Sequence, residues 1–165
     1  LEVTNGICFN LSGDMHRSIL KQHLWIDAFL SNAYDKQRQL TGVLQRIKNT
    51  PFDFTKPREI GERIKSTNNG YENAYQLRHP DNMQKPAAIL FDAQSGRAMT
   101  VYSSEPTLCI NTYGKGSCGI SLQPLHSGYN SGMEKINNEL LPGQVFHGAT
   151  VFFFTTDPPL IMRTK

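Results

Sequence analysis

AAILFDAQSGRAMTVYS, residues 87–103, is the stretch whose reading decides the fold class. Two apolar or alternating runs, Ala87–Asp92 and Arg97–Ser103, flank the polar connection AQSGR. That pattern belongs to two antiparallel strands joined by a tight turn. Gly96 supplies the residue able to take the positive φ such a turn needs. Working outward, similar runs recur on both sides: His23–Leu30 (HLWIDAFL), Gly42–Ile47 (GVLQRI), Thr107–Tyr113 (TLCINTY), Gly119–Leu125 (GISLQPL) and Thr150–Thr156 (TVFFFTT). Each predicts a strand, and Val151–Thr156 is expected to be buried. One segment carries helical spacing: in Lys56–Lys65 (KPREIGERIK), Ile60 and Ile64 share a face of about two turns. Many short strands punctuated by Gly, Pro and Asn make an all-β sandwich or barrel. No internal repeat, low-complexity tract or linker interrupts the chain, so residues 1–165 are expected to form one domain.

Composition narrows the function classes. A chain of 165 residues with 38% hydrophobic content is enough for one ordinary core. The net charge is only +3, with Lys and Arg scattered and no basic run interleaved with aromatics, so nucleic acid is not an expected partner. No apolar stretch approaches the ~20 residues of a membrane helix, and no membrane partner is expected. The chain opens on LEVTNG rather than on a signal segment, although a processed chain would have lost one. A soluble protein, cytoplasmic or secreted, is the expectation. Asn10-Leu11-Ser12 is a glycosylation sequon.

Cys8, Cys109 and Cys118 have no CxxC spacing, and an odd set of three argues against a disulfide scaffold or a zinc site. Reduced, mostly buried thiols are expected, with a bridge to another chain left open. The five histidines lack metal-ligand spacing, so neither metal nor cofactor is expected. Tyr113–Gly119 (YGKGSCG) lacks the spacing of a phosphate-binding loop, and Cys109 with His126 would form a nucleophile–base pair only by accident of folding. Two connections, Lys65–Tyr75 and Ser127–Gln144, are placed to wall a ligand site beside strand ends.

The order of several segments adds a resemblance. TNGICFNLSGD (4–14), HLWIDAFL (23–30), LTGVLQRIKNTPFDF (40–54) and KPREIGERI (56–64) are followed by NGYENAYQL (69–77), SGRAMTVYSSEP (95–106), GISLQ (119–123) and LLPGQVFHGATVFFF (140–154). Together they resemble the galactose mutarotase (aldose 1-epimerase) family from about Val3 to about Thr156, with TPFDF and SGRAMTVYSSEP the most specific pieces. The resemblance implies a β-sandwich of large, curved antiparallel sheets with a sugar site in a cleft across one sheet.

It also implies two departures. The match begins where the second half of a mutarotase begins, so the chain resembles a C-terminal half. The other half would supply strands of the same sandwich and two sugar-site residues, an arginine and a histidine. A half sandwich exposes unpaired edges and an apolar face. A companion chain carrying the N-terminal half is therefore expected, or a homo-oligomer; the companion could arise by proteolysis or be a separate polypeptide. The second departure is chemical. Mutarotation needs a base for the anomeric hydroxyl and an acid for the ring oxygen. Where the family's TNHSYFNL strand carries the histidine acid, this chain has Gly6; where the family's GFCLE strand carries the glutamate base, GISLQ has Gln123. The family's GxDH becomes Gly70-Tyr71-Glu72-Asn73. No catalytic residue is expected at these positions, and Asn5, Glu72, Asn73 and Gln123 are the candidate ligand-binding groups. A non-catalytic carbohydrate- or small-ligand-binding protein, an active aldose 1-epimerase with a rewired site, and an interaction protein using the fold as scaffold are the three readings to separate.

Overall fold

The computed structural model describes residues 6–34, 40–67, 70–114, 118–126 and 139–163. Its strands are β1 (Cys8–Phe9), β2 (His23–Ile26), β3 (Ala28–Tyr34), β4 (Leu40–Arg46), β5 (Arg58–Glu59), β6 (Glu72–Leu77), β7 (Ala88–Asp92), β8 (Arg97–Ser103), β9 (Thr107–Asn111), β10 (Ile120–Leu125) and β11 (Thr150–Thr155). The deciding hairpin forms. β7 and β8 pair antiparallel from Ala88↔Val101 to Asp92↔Arg97. Between them Gly96 takes φ +73° and donates its N–H to the Asp92 carbonyl at 2.9 Å.

Two antiparallel sheets result, one of six strands ordered β1-β10-β9-β6-β3-β4 and one of five ordered β11-β8-β7-β2-β5. Their facing sides share one apolar core. The larger sheet contributes Ile120, Leu122, Ile110, Leu108 and Tyr75; the smaller contributes Leu24, Ile26, Leu90, Met99 and Val101. Each fully buried side chain of this kind stabilises the fold by roughly 1.5–3 kcal/mol.

Three expectations need correction. HLWIDAFL is two strands, not one, because the chain changes sheets at Asp27. Its N–H donates to the Ala87 carbonyl and its own carbonyl accepts from Arg78, both at 2.9 Å, so neither group continues a single ladder. KPREIGERIK is not a helix. Arg58–Glu59 adds a short strand to β2, and only Ile64–Ser66 winds as a 3-10 turn. Ile60 and Ile64 are both buried, as their spacing suggests, but the backbone donors are taken elsewhere: Ile60 N–H by Gln22 O at 2.9 Å and Gly61 N–H by Leu20 O at 2.8 Å. Finally, β11 is a strand but not a buried one. It is the edge of its sheet, and Val151, Phe153 and Phe154 are exposed. Phe152 packs toward the core and lies 5.0 Å from the Phe9 ring.

The cysteines are free, as expected, yet only Cys109 is buried; Cys8 and Cys118 are exposed. No helix of the described residues is long and apolar enough to cross a membrane.

Candidate functional site

Side chains alternate across a strand, so register fixes which residues share a face. Glu72 of β6 pairs with Asn111 of β9, which pairs with Ser121 of β10. Two residues along, Ala74, Cys109 and Gln123 form the next row on that face, and Gln76, Thr107 and Leu125 the one after. All lie opposite the side occupied by Leu108, Ile110, Ile120 and Leu122. The outer face of the larger sheet therefore carries carboxylate, amide and hydroxyl groups around a small apolar patch of Ala74, Cys109 and Leu125.

The approach to Glu72 is rigid for a local reason. Gly70 has φ +81°, and a Cβ there would stand 2.4 Å from Gly114 O and 2.5 Å from Thr112 Oγ1. Next to it Tyr71 N–H donates to Thr112 Oγ1 at 3.0 Å, and Thr112 N–H donates back to Tyr71 O at 3.0 Å. Glu72 leaves this clamp directly into β6, and Asn111 Nδ2 donates to its Oε1 at 3.5 Å. The amide of Asn111 is itself oriented, its Oδ1 accepting from Tyr113 N–H at 2.6 Å. The buried hydroxyls of Thr107 and Ser121 find no hydrogen-bond partner.

Of the predicted site residues, Glu72 and Gln123 come to one face, both partly accessible. Asn73 does not join them. As the residue after Glu72 it points to the core side, opposite Ile110, is 3% exposed and leaves Oδ1 unpaired. Asn5 lies outside the described residues. Gly6 is exposed with φ +58°, and a Cβ there would have open space around it. Room is thus available at position 6, but the backbone is in the left-handed region that favours glycine. Continued two residues beyond Cys8↔Ser121, the β1–β10 register runs to Gly6 opposite Gln123; β1 itself stops at Cys8.

Sequence reading missed Thr107, Asn111 and Ser121. The signal was present as period-two polarity on TLCIN and ISLQ, where alternate residues are Thr, Cys, Asn and Ser, Gln. What was lacking was the register that lines the strands up.

Other candidates resolve structurally. His126 does not meet Cys109; its Nδ1 lies 2.9 Å from Glu105 Oε2, with its ring edge-to-face on Phe146. The sequon amide of Asn10 donates through Nδ2 to the carbonyls of Asp14, Arg17 and Cys118 at 3.1, 2.7 and 2.7 Å. That nitrogen, sharing its two hydrogens, ties the Asp14–Arg17 stretch to Cys118. Of the two connections proposed as walls, residues 68–69 of the first and 127–138 of the second are outside the described set. Among the described residues no group of three or more His, Cys, Asp and Glu is placed to hold a metal ion.

Comparison with known proteins bears on this geometry. Residues 1–151 match the family model described as aldose 1-epimerase. The galactose mutarotases of Sus scrofa and Rattus norvegicus are each 27% identical over 172 residues, covering 94% of this chain. The chain spans about half the length of these curated relatives, 50% in each. Among solved structures, a GalM/aldose epimerase homologue from C. elegans superposes with a TM-score of 0.78 at 17% identity, over 94% of this chain and 51% of that one. A galactose mutarotase-like protein from Clostridium acetobutylicum gives a TM-score of 0.63 at 17% identity, over 94% and 47%.

Proposed function

This chain belongs to the aldose 1-epimerase family, and we propose that it holds a carbohydrate or other polyol on the outer face of its larger sheet without interconverting anomers. What supports this reading is the residues found at the family's acid and base positions by resemblance, together with the polar groups gathered on one sheet face. At the positions that the resemblance assigns to the family's acid and base stand Gly6, with no side chain to protonate anything, and Gln123, whose amide does not titrate usefully. Losing acid and base forfeits roughly 10²–10⁴-fold each. Glu72, Asn111 and Gln123 nevertheless remain together as acceptors and donors suited to sugar hydroxyls, beside the unpaired hydroxyls of Thr107 and Ser121.

Titration calorimetry with galactose and glucose, together with polarimetry on freshly dissolved α-anomers, tests it. Expected are millimolar binding, weakened about tenfold or more by Glu72→Ala, and an anomer rate equal to buffer. Absence of saturable heat with both sugars would sink the carbohydrate version. An active epimerase using Glu72 as base is the second reading, favoured by the carboxylate retained on this face. It requires a polarimetric rate above buffer that Glu72→Gln removes.

We also propose a companion polypeptide carrying the other half of the sandwich, seated along β11. Support comes from the exposed Val151, Phe153 and Phe154 on an edge strand of this family's fold. Native mass spectrometry is expected to find the chain with such a companion; a stable 18.6 kDa monomer speaks against it, as does a homo-oligomer alone.

A further inference from the structure

Away from the polar sheet face lies a concavity that has no part in the reading above. It is a cleft of about 950 Å³ at the outer end of the β3–β4 edge, walled by the chain leaving β4, by the loop around Asp53 and by Arg78 just after β6. Glu72 begins β6 and Arg78 follows its end, so at ~3.3 Å per residue Arg78 on the cleft wall is roughly 20 Å from Glu72.

Charge is concentrated here. Arg46, Lys48, Lys56, Arg58, Arg63 and Arg78 line the cleft against two carboxylates, Asp53 and Glu62. That local surplus of four exceeds the net +3 of the whole chain. The carboxylates are already occupied. Asp53 accepts from Asn49 N–H, Thr55 N–H and Thr55 Oγ1 at 3.0, 3.1 and 2.6 Å, and Glu62 lies 3.5 Å from Arg63 Nε. Arg78 is 3.7 Å from Asp27. Arg46, Lys48 and Lys56 form no ion pair among the described residues.

Arg58 is the second, independent observation. It is only 9% exposed, held by Nη2 donating to Pro51 O at 2.7 Å and by the Phe54 ring 4.7 Å beneath its guanidinium. Its Nε is buried with no acceptor at all. Burial, then the neighbouring Arg63 charge, lower its pKa against the opposing pull of Glu62 and Asp53. A buried charged donor left unpaired is costly, and an oxyanion is the partner that a guanidinium fork fits best. Phe29 and Pro57 add an apolar side to the same cleft, with Arg78 stacked 5.9 Å over the Phe29 ring.

We propose that this cleft binds a small organic phosphate or sulfate ester. The oxyanion sits on Arg58 and the Arg46–Lys48 pair, and the carbon body lies against Phe29 and Pro57. A concave site with one buried guanidinium and an apolar wall suits a compact ester better than an extended polyanion.

Calorimetry with phenyl phosphate, phenyl sulfate and inorganic phosphate at low ionic strength tests the proposal, alongside the Arg58 Nε–H resonance in ¹⁵N-labelled protein. Either aryl ester should saturate, about tenfold tighter than inorganic phosphate, and shift that resonance. The relative affinity of the two aryl esters identifies the oxyanion. The exposed-residue variant Arg46→Ala/Lys48→Ala, with an unchanged thermal midpoint confirming its fold, should weaken binding about ten- to a hundredfold. No saturation by either ester, equal affinity for inorganic phosphate, or affinity indifferent to the double substitution overturns it. Sugar binding at Glu72 is untouched by any of these results.

Discussion

Gly70 and Gly6 are both glycines with positive φ, yet they serve opposite ends. At 70 the backbone carbonyl of Gly114 and the Thr112 hydroxyl occupy the space a Cβ needs, so Gly70→Ala combines strain with collision. A loss of more than about 1 kcal/mol is expected, measured by urea unfolding, with weaker ligand binding because Glu72 follows the same clamp. At 6 there is space but a left-handed backbone. Gln123→Glu alone is therefore expected to leave polarimetric rates at the buffer level, because a base without an acid completes neither half of the proton exchange. The sequence made both glycines visible. It did not tell Glu72 from Asn73, adjacent polar residues that the pleat sends to opposite faces.

Among the elements, the TPFDF turn shows how local chemistry is built to last. Burial by itself would raise the Asp53 carboxyl, but the Thr55 hydroxyl, the N–H groups of Asn49 and Thr55 and the Arg58 charge outweigh it and hold the pKa below the usual 3.8. A lowered carboxyl pKa stabilises the fold fully above that ordinary value, and the contribution disappears as pH falls through the folded value. In acid unfolding followed by circular dichroism, Asp53→Ala is expected to lose roughly 1–3 kcal/mol at neutral pH and to show a shallower fall in stability than wild type as pH drops below 3.8. Tyr75 belongs to the same unit: its hydroxyl, fully buried, donates to Phe52 O at 2.9 Å, and Tyr75→Phe should cost about 1 kcal/mol by the same unfolding assay. Elements closed by local contacts were legible, the β7–β8 hairpin above all. The segment 56–65 was not, since Ile60 and Ile64 have helical spacing while the distant carbonyls of Leu20 and Gln22 take the backbone donors.

For the molecule as a whole, the apolar run of β11 is the clearest lesson. VFFFTT reads as core, and only sheet order reveals it as an edge with Phe153 and Val151 facing outward. Phe153→Glu should leave the thermal midpoint of the isolated chain nearly unchanged while abolishing association with a companion in native mass spectrometry. By itself the sequence determined an all-β chain, the β7–β8 hairpin, and that position 6 is glycine and position 123 an amide, because residue identity and short-range turn chemistry are written locally. Tertiary structure alone decided which polar residues share a face, where six cations converge, and which apolar strand stays uncovered. Those depend on register and sheet order between segments far apart in the chain, and no local pattern encodes them.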